Sequence, residues 1–75
     1  MIIKDLIQNK DYDYIELRML LREEGPDVQI FIGACKSING ELISLNGDYY
    51  SRMIDVIDYN EWSTDEIKNG LTVIC

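Results

Sequence analysis

Residues 28–45 read VQIFIGACKSINGELISL, and the Asn39-Gly40 pair in their middle decides the fold. An Asn-Gly pair between two alternating apolar runs is a strong hairpin signal, because a type I′ turn needs positive φ at both central positions. A two-residue loop sets Ile38 opposite Glu41, Lys36 opposite Ile43 and Ala34 opposite Leu45. In that register Val28, Ile30, Ile32, Ala34, Ile43 and Leu45 share one face, which is expected to be the apolar side. Gln29, Phe31, Gly33, Cys35, Ser37, Leu42, Ser44 and Asn46 form the other, a mixed set expected to be wetter.

Upstream, Ile3, Leu6 and Ile7 fall at helical spacing within Met1 to Lys10. Two turns of helix do not persist alone in water, so this segment is expected to dock on a sheet. From Tyr14 the period becomes two: Ile15, Leu17, Met19 and Leu21 point one way, Glu16, Arg18, Leu20 and Arg22 the other, as in a half-buried strand. The run Glu23, Glu24, Gly25, Pro26 and Asp27 holds the only proline and breaks the pattern.

Downstream of the hairpin, Asn46, Gly47 and Asp48 read as a second turn that makes the third strand short and reverses the chain again. Met53 to Tyr59 satisfies both strand and helix spacing, and its β-branched and aromatic residues favour a strand. Ser63 and Thr64 before Asp65 and Glu66 resemble a helix cap with acids in the first turn, and Leu71 to Cys75 is a last β segment. The reading is a single α+β domain over 1–75: a short N-terminal helix packed on a four- to five-stranded antiparallel sheet. The alternative is a small SH3-like or OB-like barrel, in which closure removes the sheet edges.

Seventy-five residues bury little surface, so a stability of about 3 to 5 kcal/mol is expected. The 14 acidic and 7 basic residues give a net charge of −7, which disfavours direct contact with nucleic acid or an anionic membrane. No stretch approaches the roughly 18 apolar residues of a membrane helix, and the N-terminus lacks a signal-peptide pattern. With two distant cysteines, Cys35 and Cys75, the expected location is a reducing cytoplasm with free thiols.

The chain has no histidine, no CxxC unit, no phosphate-binding glycine loop and no nucleophile elbow. No catalytic residue, metal ligand or cofactor site is assigned, and a non-enzymatic protein is expected. Asn46-Gly47-Asp48 lacks the alternating oxygen ligands of a calcium loop. Asp11 with Asp13 and Asp55 with Asp58 are pairs that would do acid–base work only if buried.

Charge is concentrated late in the sequence. From Asp48 to Glu66 there are six acids against Arg52 alone, a local charge of −5, interleaved with Tyr49, Tyr50, Tyr59 and Trp62. Carboxylates pair with guanidinium groups while Tyr and Trp supply rigid contact area. Asp48, Tyr49, Tyr50, Asp55, Asp58, Tyr59, Glu61 and Trp62 are thus the candidate partner-binding residues, and a basic protein surface is the expected partner. The competing reading makes Tyr59 and Trp62 the end of the core and the acids its solvated rim.

Ile3, Asp5, Leu6 and Ile7, followed by Asn9, Lys10, Asp11 and Tyr12, resemble the opening of a small acidic anti-CRISPR inhibitor of Cas9, in which a short helix also precedes an antiparallel sheet. In size, acidity and lack of catalytic motifs the whole chain is similar to accessory proteins of phages and mobile elements. The resemblance implies an anti-defence inhibitor that occupies the basic groove of a nucleic-acid-binding host enzyme, and it carries over no site residue. A second functional reading is a small-molecule-binding or sequestering oligomer, whose milder form is a homodimer through an open edge at Leu71 to Cys75 or at the first strand. The third is a structural domain of unknown role.

Overall fold

The computed structural model describes residues 1–23 and 28–75. The expected break at Glu23 to Asp27 lies outside the described residues apart from Glu23. One helix and five strands follow in the order α1 (Ile3–Ile7), β1 (Tyr12–Leu20), β2 (Gln29–Ile38), β3 (Glu41–Ser44), β4 (Asp58–Trp62) and β5 (Gly70–Ile74). The strands form one sheet in the order β3-β2-β1-β5-β4, so the sheet is open, with β3 and β4 as its edges. This α+β architecture is not the barrel alternative.

The hairpin closes in the expected register, with Ile38 opposite Glu41 and Lys36 opposite Ile43. The Leu45 amide donates to the Ala34 carbonyl at 2.8 Å. Asn39 and Gly40 adopt φ of 52° and 79°, the left-handed conformations a type I′ turn requires. The sheet is not purely antiparallel, however. β1 and β5 run parallel, with Ile15 opposite Leu71 and Leu17 opposite Val73. Sequence periodicity sets which way side chains point but not which strands become neighbours, so it does not distinguish this arrangement.

Next to the turn, the buried face of the hairpin is the reverse of the expected one: Cys35 and Ser37 are fully enclosed and Leu42 packs on the core, whereas Ile43 and Leu45 are 41% and 48% exposed. Further back the expected assignment holds in part, since Ala34 is buried, Ile32 packs against the core and Phe31 is exposed, although Ile30 is exposed too. The reason lies in size. Gly33 leaves room for the Tyr50 ring, and Cys35 joins Ile3 and Ile7 of α1, Val56, Ile15, Leu17, Leu71 and Val73 in one core. Buried Ser37 is satisfied because its Oγ accepts the Tyr12 amide at 2.8 Å, where β1 bulges against β2.

After β3 the chain does not reverse beside it. Residues 45–57 cross the covered face from one sheet edge to the other, pinned to the N-terminus by Ile3 N–H to Ile54 C=O at 3.0 Å and Val56 N–H to Met1 C=O at 2.6 Å. Only Asp55 makes a β-bridge there, with Ile2, so the strand expected over Met53 to Tyr59 is instead displaced to Asp58–Trp62. No helix follows Ser63; the segment turns, with Thr64 Oγ1 accepting the Ile67 amide at 2.9 Å. The opening helix keeps Ile3 and Ile7 buried but is five residues long, shorter than the two turns expected. No helix among the described residues is long and apolar enough to cross a membrane.

Candidate functional site

Seven of the eight candidate residues divide between the two edges of the sheet: Asp48, Tyr49 and Tyr50 lie by β2 and β3, while Asp58, Tyr59, Glu61 and Trp62 belong to β4. The eighth, Asp55, is bridged to Ile2 in the crossing segment just before β4. Four inter-strand gaps separate these edges, roughly 19 Å. They are therefore not one surface.

On the β3 side, Tyr50 serves the fold. Its hydroxyl donates to the Ile32 carbonyl at 2.9 Å and accepts from Asn46 Nδ2 at 3.0 Å, and its ring end occupies the space above Gly33. A Cβ at Gly33 would stand 1.8 Å from the Tyr50 oxygen, so that glycine is required by the close approach. Tyr49, 91% exposed, is the one aromatic of this group free of the core.

On the β4 side every residue but Trp62 is exposed. Asp58 and Trp62 share the uncovered face of the sheet with Asn60, and Tyr59 and Glu61 point to the covered side, as alternation along the strand demands. Trp62 lies over Gly70, tilted against the Tyr14 ring with centroids 6.1 Å apart, and its indole N–H donates to Thr72 Oγ1 at 2.9 Å. It thus anchors β4 to β5 on the open face and does not cap the buried core.

Glu61 is engaged by its own chain. The Tyr12 hydroxyl donates to its carboxylate, Lys10 Nζ stands 3.4 Å from the same oxygen, and that ammonium lies 5.1 Å from the centre of the Tyr12 ring. The tyrosine hydrogen bond and then the lysine hold the Glu61 carboxyl below its usual range. Burial, followed by the bond to Glu61, pushes the Tyr12 phenol up. This latch ties β4 to β1 across the top of β5.

Asp55, Asp58, Asp65 and Glu66, flanking and following β4, are exposed and form none of the three ion pairs found among the described residues, which join Lys10 to Glu61, Arg18 to Glu16 and Arg52 to Glu41. The edge thus carries uncompensated negative charge beside Tyr59, itself 43% exposed. Asp11 and Asp13 have a structural use: they accept the backbone amides of Asn39 at 2.9 Å and Asn69 at 3.3 Å. Being exposed, neither they nor Asp55 with Asp58 form a buried acid pair. Among the described residues, no three Asp, Glu or Cys side chains gather as metal ligands would.

No family model, curated protein or solved structure matches this chain. What its surface offers to a partner follows from geometry: a solvated edge strand, aromatic contact area and a fringe of carboxylates. Sequence reasoning did not single out Gly33, Gly70, Tyr12 or Lys10. Tyr12 and Lys10 carry no motif, since their partner Glu61 lies about fifty positions away. The glycines have a weak signal only in hindsight, each sitting inside a β-patterned run where glycine often marks a close approach.

Proposed function

We propose that this protein is a non-catalytic interaction protein that binds a basic surface of another protein, with the β4 edge as its docking surface. The observation that carries this reading is the composition of that edge. Asp55, Asp58, Asp65 and Glu66 border an outermost strand whose outer backbone groups no other strand pairs, and Tyr59 stands exposed among them. An extended Lys- and Arg-rich segment added along β4 would combine backbone hydrogen bonds with carboxylate pairing. The residues from Asp48 to Tyr50 play no part in this contact, because they sit at the opposite edge. Glu61 contributes through its latch, by holding the strand in place.

The resemblance of the N-terminal residues makes a nucleic-acid-binding host enzyme the class of partner, and Cas9 the first to try. The protein would act there as an anti-defence inhibitor, its carboxylates standing where phosphates bind. The test is binding to guide-loaded Cas9 in the absence of target DNA, at about 50 and 200 mM salt. Binding is expected to weaken severalfold or more over that range, and to be lost when Asp58, Asp65 and Glu66 are all replaced by Lys. Binding that ignores both salt and these substitutions contradicts the edge as the docking surface; no binding removes Cas9 as the partner.

The sequestering alternative gains little. A surface depression of about 410 Å³ is lined, among the described residues, by the aliphatic Leu20 and Leu21 and by the charged Arg22 and Glu23. Ligand sites are instead concave and draw convergent polar groups from several elements. The edge-paired homodimer is also displaced, since β1 and β5 are inner strands and pair with each other.

A further inference from the structure

The sheet has a second face that α1 and the crossing segment leave open. Alternation from the buried residues places Tyr14, Glu16 and Arg18 of β1 there, together with Ala34 and Lys36 of β2, Thr72 and Ile74 of β5, and Ile43 of β3. Phe31, opposite Arg18 across the bulge, joins them. Ile43 and Phe31 are 41% and 52% exposed, and Trp62 and Tyr14 flank the other end. A β-sheet of this kind ordinarily buries an apolar face against a second layer.

Charge singles out the occupant. The open face carries three acids, Glu16, Glu41 and Asp58, and two bases, Arg18 and Lys36; Glu41 is paired with Arg52 at 3.4 Å, and with that guanidinium counted the face is neutral. Glu16 and Arg18 are bonded to one another near its centre. The entire net charge of −7 therefore resides on the rest of the molecule. Two copies approaching by their β4 edges bring acid against acid, whereas the open faces meet without net repulsion. A basic partner, conversely, has nothing to attract it to a neutral face.

We propose that two copies of this chain associate through their open sheet faces, around a two-fold axis, as a β-sandwich. Packed sheets of this kind lie about 10 Å apart with strands nearly aligned. Five strands by about five residues give a face of roughly 24 by 17 Å. With side-chain relief added, that reaches about the 500 Å² per partner at which a specific interface begins. The dimer is accordingly weak, with a dissociation constant on the order of 10 µM. The acids bordering β4 keep the edge strands of neighbouring copies apart, which leaves the faces as the contact.

Sedimentation equilibrium on the full chain from about 1 to 500 µM tests this, with Trp62 emission as a second reading because the ring lies on the proposed contact. The mass is expected to rise with concentration from 8.7 kDa toward twice that value, and Trp62 emission to shift to the blue in parallel. Ile43→Glu and Lys36→Glu, checked for native circular dichroism, are each expected to raise the dissociation constant at least about tenfold. Should Ile43→Glu fail to fold, Lys36→Glu still decides the question, since it alters only the charge balance of a half-exposed position. Asp65→Asn with Glu66→Gln, which removes charge from the β4 edge, should leave the dimer unweakened; this separates failure of the dimer from failure of edge binding. A constant 8.7 kDa at every concentration, or a dimer indifferent to both face substitutions, overturns the proposal.

Discussion

At the scale of single residues, one glycine and one cysteine report most directly on how the sheet is packed. A Cβ on Gly70 would lie 2.5 Å from the Trp62 ring, and an indole pinned by Tyr14 and Thr72 has little room to yield. Gly70→Ala is expected to cost about 1–3 kcal/mol in denaturant unfolding. The same substitution should shift Trp62 emission to the red as the ring swings into water. Cys35 is fully enclosed, and burial raises its thiol to about 11. A thiol raised on folding supports the native state below its ordinary value and withdraws that support as pH climbs toward the raised one. Stability should therefore decline between about pH 9 and pH 11, and Cys35→Ala should flatten that limb although it lowers stability overall. Reaction with a thiol reagent at pH 8 should be slow at Cys35 until the protein unfolds.

Among the elements, the hairpin was the most legible and its burial the least. Asn39-Gly40 determines turn and register locally, because positive φ is a property of the two residues themselves. Gly40→Ala is expected to destabilise by about 1–2 kcal/mol, measured by thermal unfolding, as nothing lies near the new methyl group and only the backbone conformation is penalised. Which face is buried depends on what covers it. Gly33, Cys35 and Ser37 read as polar or neutral in sequence, yet all three are buried: Gly33 beneath Tyr50, and Cys35 in the core with Ile3 and Ile7. The displaced β4 has a similar cause. Met53 to Ile57 has the composition of a strand, but the crossing segment is held by the N-terminal residues over the sheet, and pairing begins only where Asp58 reaches Ile74. Helix signals at Ser63 and Thr64 gave way to a turn for want of an apolar stripe long enough to dock.

For the molecule as a whole, the order β3-β2-β1-β5-β4 decides what a linear run of acids becomes. The stretch from Asp48 to Glu66 is one segment in sequence but spans both sheet edges, so its charge and aromatics divide into a group at Asp48 to Tyr50, in which Asp48 and Tyr50 are internally bonded, and an exposed one along β4. The candidate residues were identifiable by composition; their grouping required the crossover, which no local pattern encodes. The proposed docking edge and the proposed dimer face adjoin on the same sheet, with Asp58 and Trp62 at their border.

The edge is tested most directly by NMR titration of the labelled protein with an extended Lys- and Arg-rich peptide at about 50 mM salt. The account predicts amide shifts concentrated on Asp58 to Trp62 and around Asp65 and Glu66, with Asp48 to Tyr50 unmoved and the shifts suppressed at about 500 mM salt. Shifts scattered evenly over every exposed carboxylate, or centred on Asp48 to Tyr50, would contradict it.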